Sequence, residues 1–165
     1  MRRLPLAVIG TVVMIAVAAH AQNTNPDQSF ATQAAAAGIA EVDAAKLALQ
    51  KSHNAQVRRF AQRMVRDHTK ANRKLEALAR REKVDLPNEP SAADQEAMQR
   101  LQGLSGKDFD NVYLQDQLTA HQQAVALFTG ESQSGKDMRL KRFATATLPT
   151  LREHLKMVQA IAPKT

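Results

Sequence analysis

The chain has 165 residues, a formal net charge of +7 and no cysteine. The lack of cysteine excludes disulfides, thiolate metal sites, catalytic thiols and lipid attachment through a cysteine. One tyrosine, no tryptophan and six glycines, with abundant Ala, Leu, Gln, Arg and Lys, favour an all-helical protein.

The N-terminus has the features of a secretory signal peptide. Two arginines precede an apolar run that ends at Ala18, and residues 19–21 read Ala-His-Ala, a small-x-small pattern that signal peptidase cuts. We therefore predict a signal peptide over residues 1–21 and a mature chain that starts at Gln22 without a transmembrane helix. A retained N-terminal anchor is the alternative. The predicted location is the periplasm, with or without association with the outer membrane.

Two long helices are predicted in the first half of the chain, after a disordered polar lead over residues 22–28. The first runs from Ser29, a plausible N-cap, to Lys51. The second runs from a cap at Asn54 to about Lys83. Its apolar positions repeat at intervals of three and four residues, as expected for one face of a helix: Val57, Phe60, Ala61, Met64, His68, Ala71, Leu75 and Leu78.

The positive charge is concentrated in this second helix. Residues 54–83 contain ten basic and three acidic residues. The face opposite the apolar stripe carries the basic stripe, which we define as Arg59, Arg63, Arg66, Lys70, Arg73 and Arg81. Such a stripe fits contact with anionic lipid, lipopolysaccharide or an acidic partner, and a solvated helix face is the alternative. Nucleic-acid binding is not favoured, because the chain has an export signal and few aromatic residues.

The second half repeats the two-helix pattern. Two prolines in "VDLPNEP" end the second helix, and a short connector helix is predicted between Ser91 and Gly103. A third long helix should span about Lys107–Glu131 and a fourth about Asp137–Ile161. Proline at position 149 should kink the fourth helix or divide it into two.

Loop lengths indicate how these helices pack. The breaks within each pair are short and the connection between the pairs is long, which is typical of two helical hairpins. We therefore predict one four-helix bundle domain over residues 29–162.

Three of the four long helices carry one histidine within the apolar stripe. These are His68, His121 and His154, and the first helix offers Glu41 on its small-residue face. In a bundle the four side chains could meet in one layer, and imidazole and carboxylate groups suit zinc, iron, copper or manganese. The sequence thus predicts a site for one divalent ion. The alternatives are a metal-free buried polar network and histidines that do not converge.

Other polar residues receive weaker predictions. Asp67 and Glu153, each next to a stripe histidine, are candidates to orient the histidine rings. His53 and His20 lie off the stripes and are not predicted to bind metal. Tyr113 is interpreted as a core tyrosine hydrogen-bonded to a neighbour, with redox chemistry near a metal as the alternative.

Four blocks of this chain resemble the bacterial family known as domain of unknown function 4142. They are "FATQAAAAGIAEVDAAKLAL", "VRRFAQRMVRDHTKAN", "FDNVYLQDQLTAHQQAVALF" and "LKRFATATLPTLREHLKMVQAI", and the resemblance covers about residues 29–162. It implies an exported, predicted outer-membrane or periplasmic protein with a ferritin-like fold. The family's recurrent polar positions fall here on Glu41, Asp67, His68, His121 and His154. Ala120 stands where the family commonly has an acidic residue before the third-helix histidine.

The ferritin-like resemblance does not extend to di-iron chemistry. Di-iron bundles use Glu-x-x-His pairs, whereas the residues three before the stripe histidines are Val65, Leu118 and Leu151. Iron storage and ferroxidase activity are therefore not expected.

Two functions remain open at this point. The first is an envelope metal-binding protein for metal homeostasis or stress protection. The second is a metal-free interaction module that uses the basic stripe. No nucleophile elbow, phosphate loop or HExxH motif is present, so an enzyme is not favoured. The sequence leaves open whether the bundle forms a homodimer.

Overall fold

The computed structural model describes residues 25–163, which form five α-helices. The helices are α1 Pro26–Lys51, α2 Ala55–Glu82, α3 Ala92–Gln102, α4 Gly106–Ser134 and α5 Met138–Ile161. Four of them begin with a side-chain cap that accepts a hydrogen bond from a backbone N–H of the first turn, in agreement with the preference for Asn, Ser and Asp at this position. The caps are Asn25, Asn54, Ser91 and Asp137. The predicted signal peptide and residues 22–24 lie outside the described residues.

The four long helices pack as two hairpins, α1 with α2 and α4 with α5. The hairpins meet through α1 against α4 and α2 against α5, and α3 bridges α1 and α4. Residues 25–163 contain no β-strand, and none of their helices combines the length and the apolar character needed to cross a membrane. The predicted all-helical, ferritin-like four-helix bundle with a short connector helix is confirmed.

The core consists of two apolar clusters. One contains Phe30, Phe128 and Phe143, whose ring centroids lie 5.0 to 6.4 Å apart. The other contains Phe60, Phe109 and Tyr113, and the Tyr113 ring packs against the other two. Along each long helix, one buried titratable residue lies between the segments that form the two clusters. We call these four residues the polar layer: Glu41, His68, His121 and His154.

The start of α1 differs from the prediction. The helix begins at Pro26 instead of Ser29, so the expectation of disorder is wrong for residues 26–28. Proline is favourable in the first helical turn because its φ angle is already helical and no N–H bond is lost there. Asp27 is buried and accepts hydrogen bonds from the backbone N–H groups of Lys136 and Asp137, both at 2.9 Å. These contacts hold the first turn of α1 against the α4–α5 turn.

Two other boundaries also differ. Helix α4 continues to Ser134, three residues beyond the predicted end. Helix α5 passes through Pro149 as one helix, so the predicted division into two helices is wrong. Pro149 and Thr145 are both exposed, and water can therefore solvate the Thr145 carbonyl that lacks its usual N–H partner.

Removing the Asp27 side chain should destabilise the bundle. In Asp27→Ala, two partly buried backbone N–H groups lose a charged acceptor, and we expect the free energy of unfolding to fall by about 1 to 3 kcal/mol. Urea unfolding followed by circular dichroism would measure this loss. Asp43→Ala is the matched control, because the Asp43 side chain is 46% exposed and, among the described residues, forms an ion pair only with Lys46 at 3.6 Å. Equal effects of the two substitutions would contradict a role for Asp27 in joining α1 to the α4–α5 turn.

Candidate metal centre

Three of the predicted site residues converge in the polar layer. His68 from α2, His121 from α4 and His154 from α5 each offer a ring nitrogen, and these nitrogens lie within 4.8 Å of one another. The ring centroids are 5.3 to 5.7 Å apart. All three residues are buried, with exposed fractions of 8%, 0% and 1% respectively. The stripe positions therefore bring the histidines together, as the helical periodicity predicts.

In His121 and His154, a hydrogen bond at one ring nitrogen determines which nitrogen carries the proton and which is unprotonated. Nδ1 of His121 lies 2.9 Å from the Gln117 carbonyl oxygen, and Nε2 of His154 lies 3.0 Å from Oδ2 of Asp67. A carbonyl and a carboxylate oxygen only accept, so each of these nitrogens carries the proton. The opposite nitrogens, Nε2 of His121 and Nδ1 of His154, are buried without a partner, as is Nε2 of His68.

The electrostatic environment keeps two of the rings neutral. Burial lowers the pKa of His68 well below its usual value, and the neighbouring His121 and His154 lower it further. Burial also lowers the pKa of His154, although its hydrogen bond to Asp67 partly opposes the effect. Since a metal binds the unprotonated nitrogen, these shifts favour ligation near neutral pH.

Asp67 orients a histidine of another helix. It contacts His154 on α5 instead of its own neighbour in sequence, because adjacent helical residues point about 100° apart. Partial burial raises the pKa of Asp67, but hydrogen bonds from His154 and Arg63 outweigh it and leave the pKa below its usual value. Arg66 also contacts this carboxylate. The other candidate, Glu153, is exposed.

Glu41 does not join the group of close ring nitrogens. Its Oε1 lies 3.9 Å from Nδ1 of His121, the nitrogen that faces the Gln117 carbonyl and not the free Nε2. The group of close ligand atoms thus contains the three histidines alone among the described residues, and ligation by Glu41 stays a prediction. Burial raises the pKa of Glu41, opposed in part by His121 and Gln117, and its Oε2 has no hydrogen-bond partner.

Two further polar predictions have different outcomes. Tyr113 is fully buried and stacks on Phe109, but its hydroxyl has no partner among the described residues, so the expected hydrogen bond to a neighbour is wrong. His53 is exposed, whereas His20 lies outside the described residues.

Gln117 is the site residue that sequence reasoning missed. Its carbonyl accepts from the His121 ring, and its side chain is buried near Glu41. The only available signal was its position four residues before the histidine, which places its carbonyl within reach of the ring. Any residue type at that position would have its carbonyl there, so the sequence could not single out Gln117.

The family model for a domain of unknown function, DUF4142, matches residues 13–161. The chain belongs to the DUF4142 family. No curated protein sequence matches this DUF4142 chain.

Solved structures of other families share the fold of this DUF4142 protein. A DUF305 fragment from Deinococcus radiodurans has a TM-score of 0.73 at 19% identity, over 84% of this chain and 95% of that one. A DUF305 protein from Streptomyces coelicolor, described as secreted, has a TM-score of 0.71 at 16% identity, over 83% and 90%. CopM in its Cu(I)-bound form has a TM-score of 0.68 at 16% identity, over 82% and 94%. The TM-scores establish a common fold, and at identities this low they establish nothing further.

The basic stripe of this DUF4142 protein lies beside the candidate centre. Arg59, Lys70 and Arg73 are exposed. Arg63 and Arg66 form ion pairs with Asp67, the residue that holds His154. Part of the stripe's charge is therefore neutralised within α2, and contact with an anionic surface or an acidic partner stays a prediction.

Proposed function

We propose that this DUF4142 protein binds one transition-metal ion through His68, His121 and His154. The observation that carries the proposal is that each of the three rings offers a nitrogen within 4.8 Å of the other two, and that each ring has one buried nitrogen without a hydrogen-bond partner. Leaving buried polar atoms unpaired costs free energy. A metal ion bound by all three nitrogens would remove that cost, because each lone pair would then have a partner.

Copper is the first metal to test. Neutral imidazole nitrogens suit copper and zinc, whereas iron(III) and manganese sites usually include carboxylates. Glu41, the nearest carboxylate of the polar layer, faces the protonated side of His121. The similarly folded CopM has a Cu(I)-bound form, which supports the same choice.

The proposed setting is outside the cytoplasm. The N-terminal signal pattern supports export, and a neighbour of similar fold is described as secreted. A protein with one buried metal site and no catalytic motif fits metal homeostasis or protection from metal stress in the envelope.

Metal analysis tests the proposal directly. The protein is purified from the periplasm without an affinity tag or a chelator, and its metal content is measured by mass spectrometry. We expect about one metal per chain in the wild type and trace metal in the triple variant His68→Ala, His121→Ala, His154→Ala.

The matched control is His53→Ala, which removes an exposed histidine and should leave the metal content unchanged. Circular dichroism would show whether the triple variant keeps its helices. Single variants of each ring serve as a second measurement in case it does not. Equal trace metal in the folded wild type and its folded single variants, even after incubation with Cu(I) or Zn(II), would contradict the proposal.

A further inference from the structure

A cavity of about 520 Å³ lies between the helices beside the polar layer. Small side chains leave this space open, chiefly Ala34 and Ala37 on α1 and Ala120 and Ala124 on α4. Further in, the walls consist of Leu75, Phe128, Phe143 and Leu151. The volume falls within the range of sites that enclose small organic molecules, and such sites combine apolar walls with a few polar groups.

The charged side chains that line the cavity are carboxylates. Glu41, Asp67 and Asp94 line it, and no lysine or arginine does, although the chain as a whole is basic. His68 and His154 line it as well, whereas His121 does not. The cavity would thus disfavour an anionic ligand, because Glu41 and Asp94 line it without a basic residue in its wall, whereas Asp67 is paired with Arg63 and Arg66.

One carboxylate atom in this cavity lacks a partner. Oε2 of Glu41 is buried and has no hydrogen bond, and the residue is only 7% exposed. The unpartnered Nε2 of His68 belongs to the same wall. A ligand that carries N–H donors would satisfy the Glu41 oxygen, and a protonated amine would do so most strongly, since hydrogen bonds between charged groups are about twice as strong as neutral ones.

We propose that this cavity binds a small apolar molecule that carries a primary amine, with the apolar body between α1 and α4 and the amine on Glu41. Two of the three proposed metal ligands, His68 and His154, also line this cavity, but the amine is held by Glu41, so the proposal does not depend on metal binding. The alanines of α1 and α4 supply the room, and Glu41 supplies the selectivity for an amine.

The test compares two probes with the same apolar body and opposite head-group charge. 4-Phenylbutylamine and 4-phenylbutyrate are titrated into the purified protein by isothermal calorimetry, with EDTA present so that a bound metal cannot account for binding. We expect the amine to bind at least about tenfold more tightly than the carboxylate, which corresponds to about 1.4 kcal/mol.

Two variants locate the binding. Glu41→Gln should weaken amine binding at least about fivefold, whereas Glu76→Gln, which removes an exposed carboxylate outside the cavity, should not change it. Ala124→Leu should weaken amine binding by filling the cavity, without any change of charge. Absence of amine binding, equal binding of both probes, or unchanged binding in a folded Glu41→Gln protein would overturn the proposal.

Discussion

Replacing Asp67 with Asn is expected to lower the metal affinity of the protein by about ten- to a hundredfold, the usual cost of losing a carboxylate that orients a metal-bound histidine. Asp67 accepts from Nε2–H of His154 at 3.0 Å and thereby leaves Nδ1 of that ring unprotonated and without a hydrogen-bond partner. An amide oxygen can still accept this bond, but it lacks the charge that fixes the proton on Nε2. The measurement is competition for Cu(I) or Zn(II) with a chelator of known affinity.

A second readout separates this role from a general structural one. Nitrogen-15 NMR of the metal-free protein should show His154 protonated at Nε2 in the wild type, with a mixture of the two ring forms in Asp67→Asn. Asp43→Asn is the control, since it removes the charge of a half-exposed carboxylate of α1 that pairs with Lys46. Wild-type affinity together with a wild-type ring spectrum in Asp67→Asn would show that the carboxylate does not position His154.

The convergence of the histidines could be predicted because it depends mainly on helical periodicity. Helical periodicity places His68, His121 and His154 on the buried faces of their helices, and short turns within each hairpin bring those faces to the same core. Neither inference needs the conformation of a side chain. Burial of the three rings therefore followed from spacing alone. The cap at Asn54 followed from the preference for asparagine at that position.

The partners within the site could not be predicted in the same way. Which ring Asp67 contacts depends on the relative rotation of α2 and α5, and the sequence places it next to His68 instead. Glu41 lies on the predicted face, yet the rotation of α1 directs it to the Nδ1 side of His121. The cavity could not be predicted either, because a row of alanines indicates close helix packing as readily as it indicates empty space.

Metal should stabilise the folded protein, with an effect that depends on all three rings. Binding to the native state alone adds RT ln(1 + [L]/Kd) to the free energy of unfolding, which is about 2.7 kcal/mol at a free-metal concentration one hundred times Kd and about 4.1 kcal/mol at one thousand times. We expect a rise of this size for the wild type in buffered Cu(I) or Zn(II), measured by urea unfolding. His53→Ala should show the same rise, and the triple histidine variant should show none.

The metal-free state of one variant then distinguishes a ligand set from a structural network. His121 is fully buried, and its Nε2 has no partner, so in the absence of metal it contributes an unsatisfied polar atom to the core. His121→Leu replaces that atom with an apolar group and loses only the bond to the Gln117 carbonyl. We therefore expect it to unfold within about 1 kcal/mol of the metal-free wild type or to be more stable, while losing stabilisation by metal. If the rings instead serve to hold the helices in register, His121→Leu should destabilise the metal-free protein by several kcal/mol, and that outcome would contradict a metal centre at this layer.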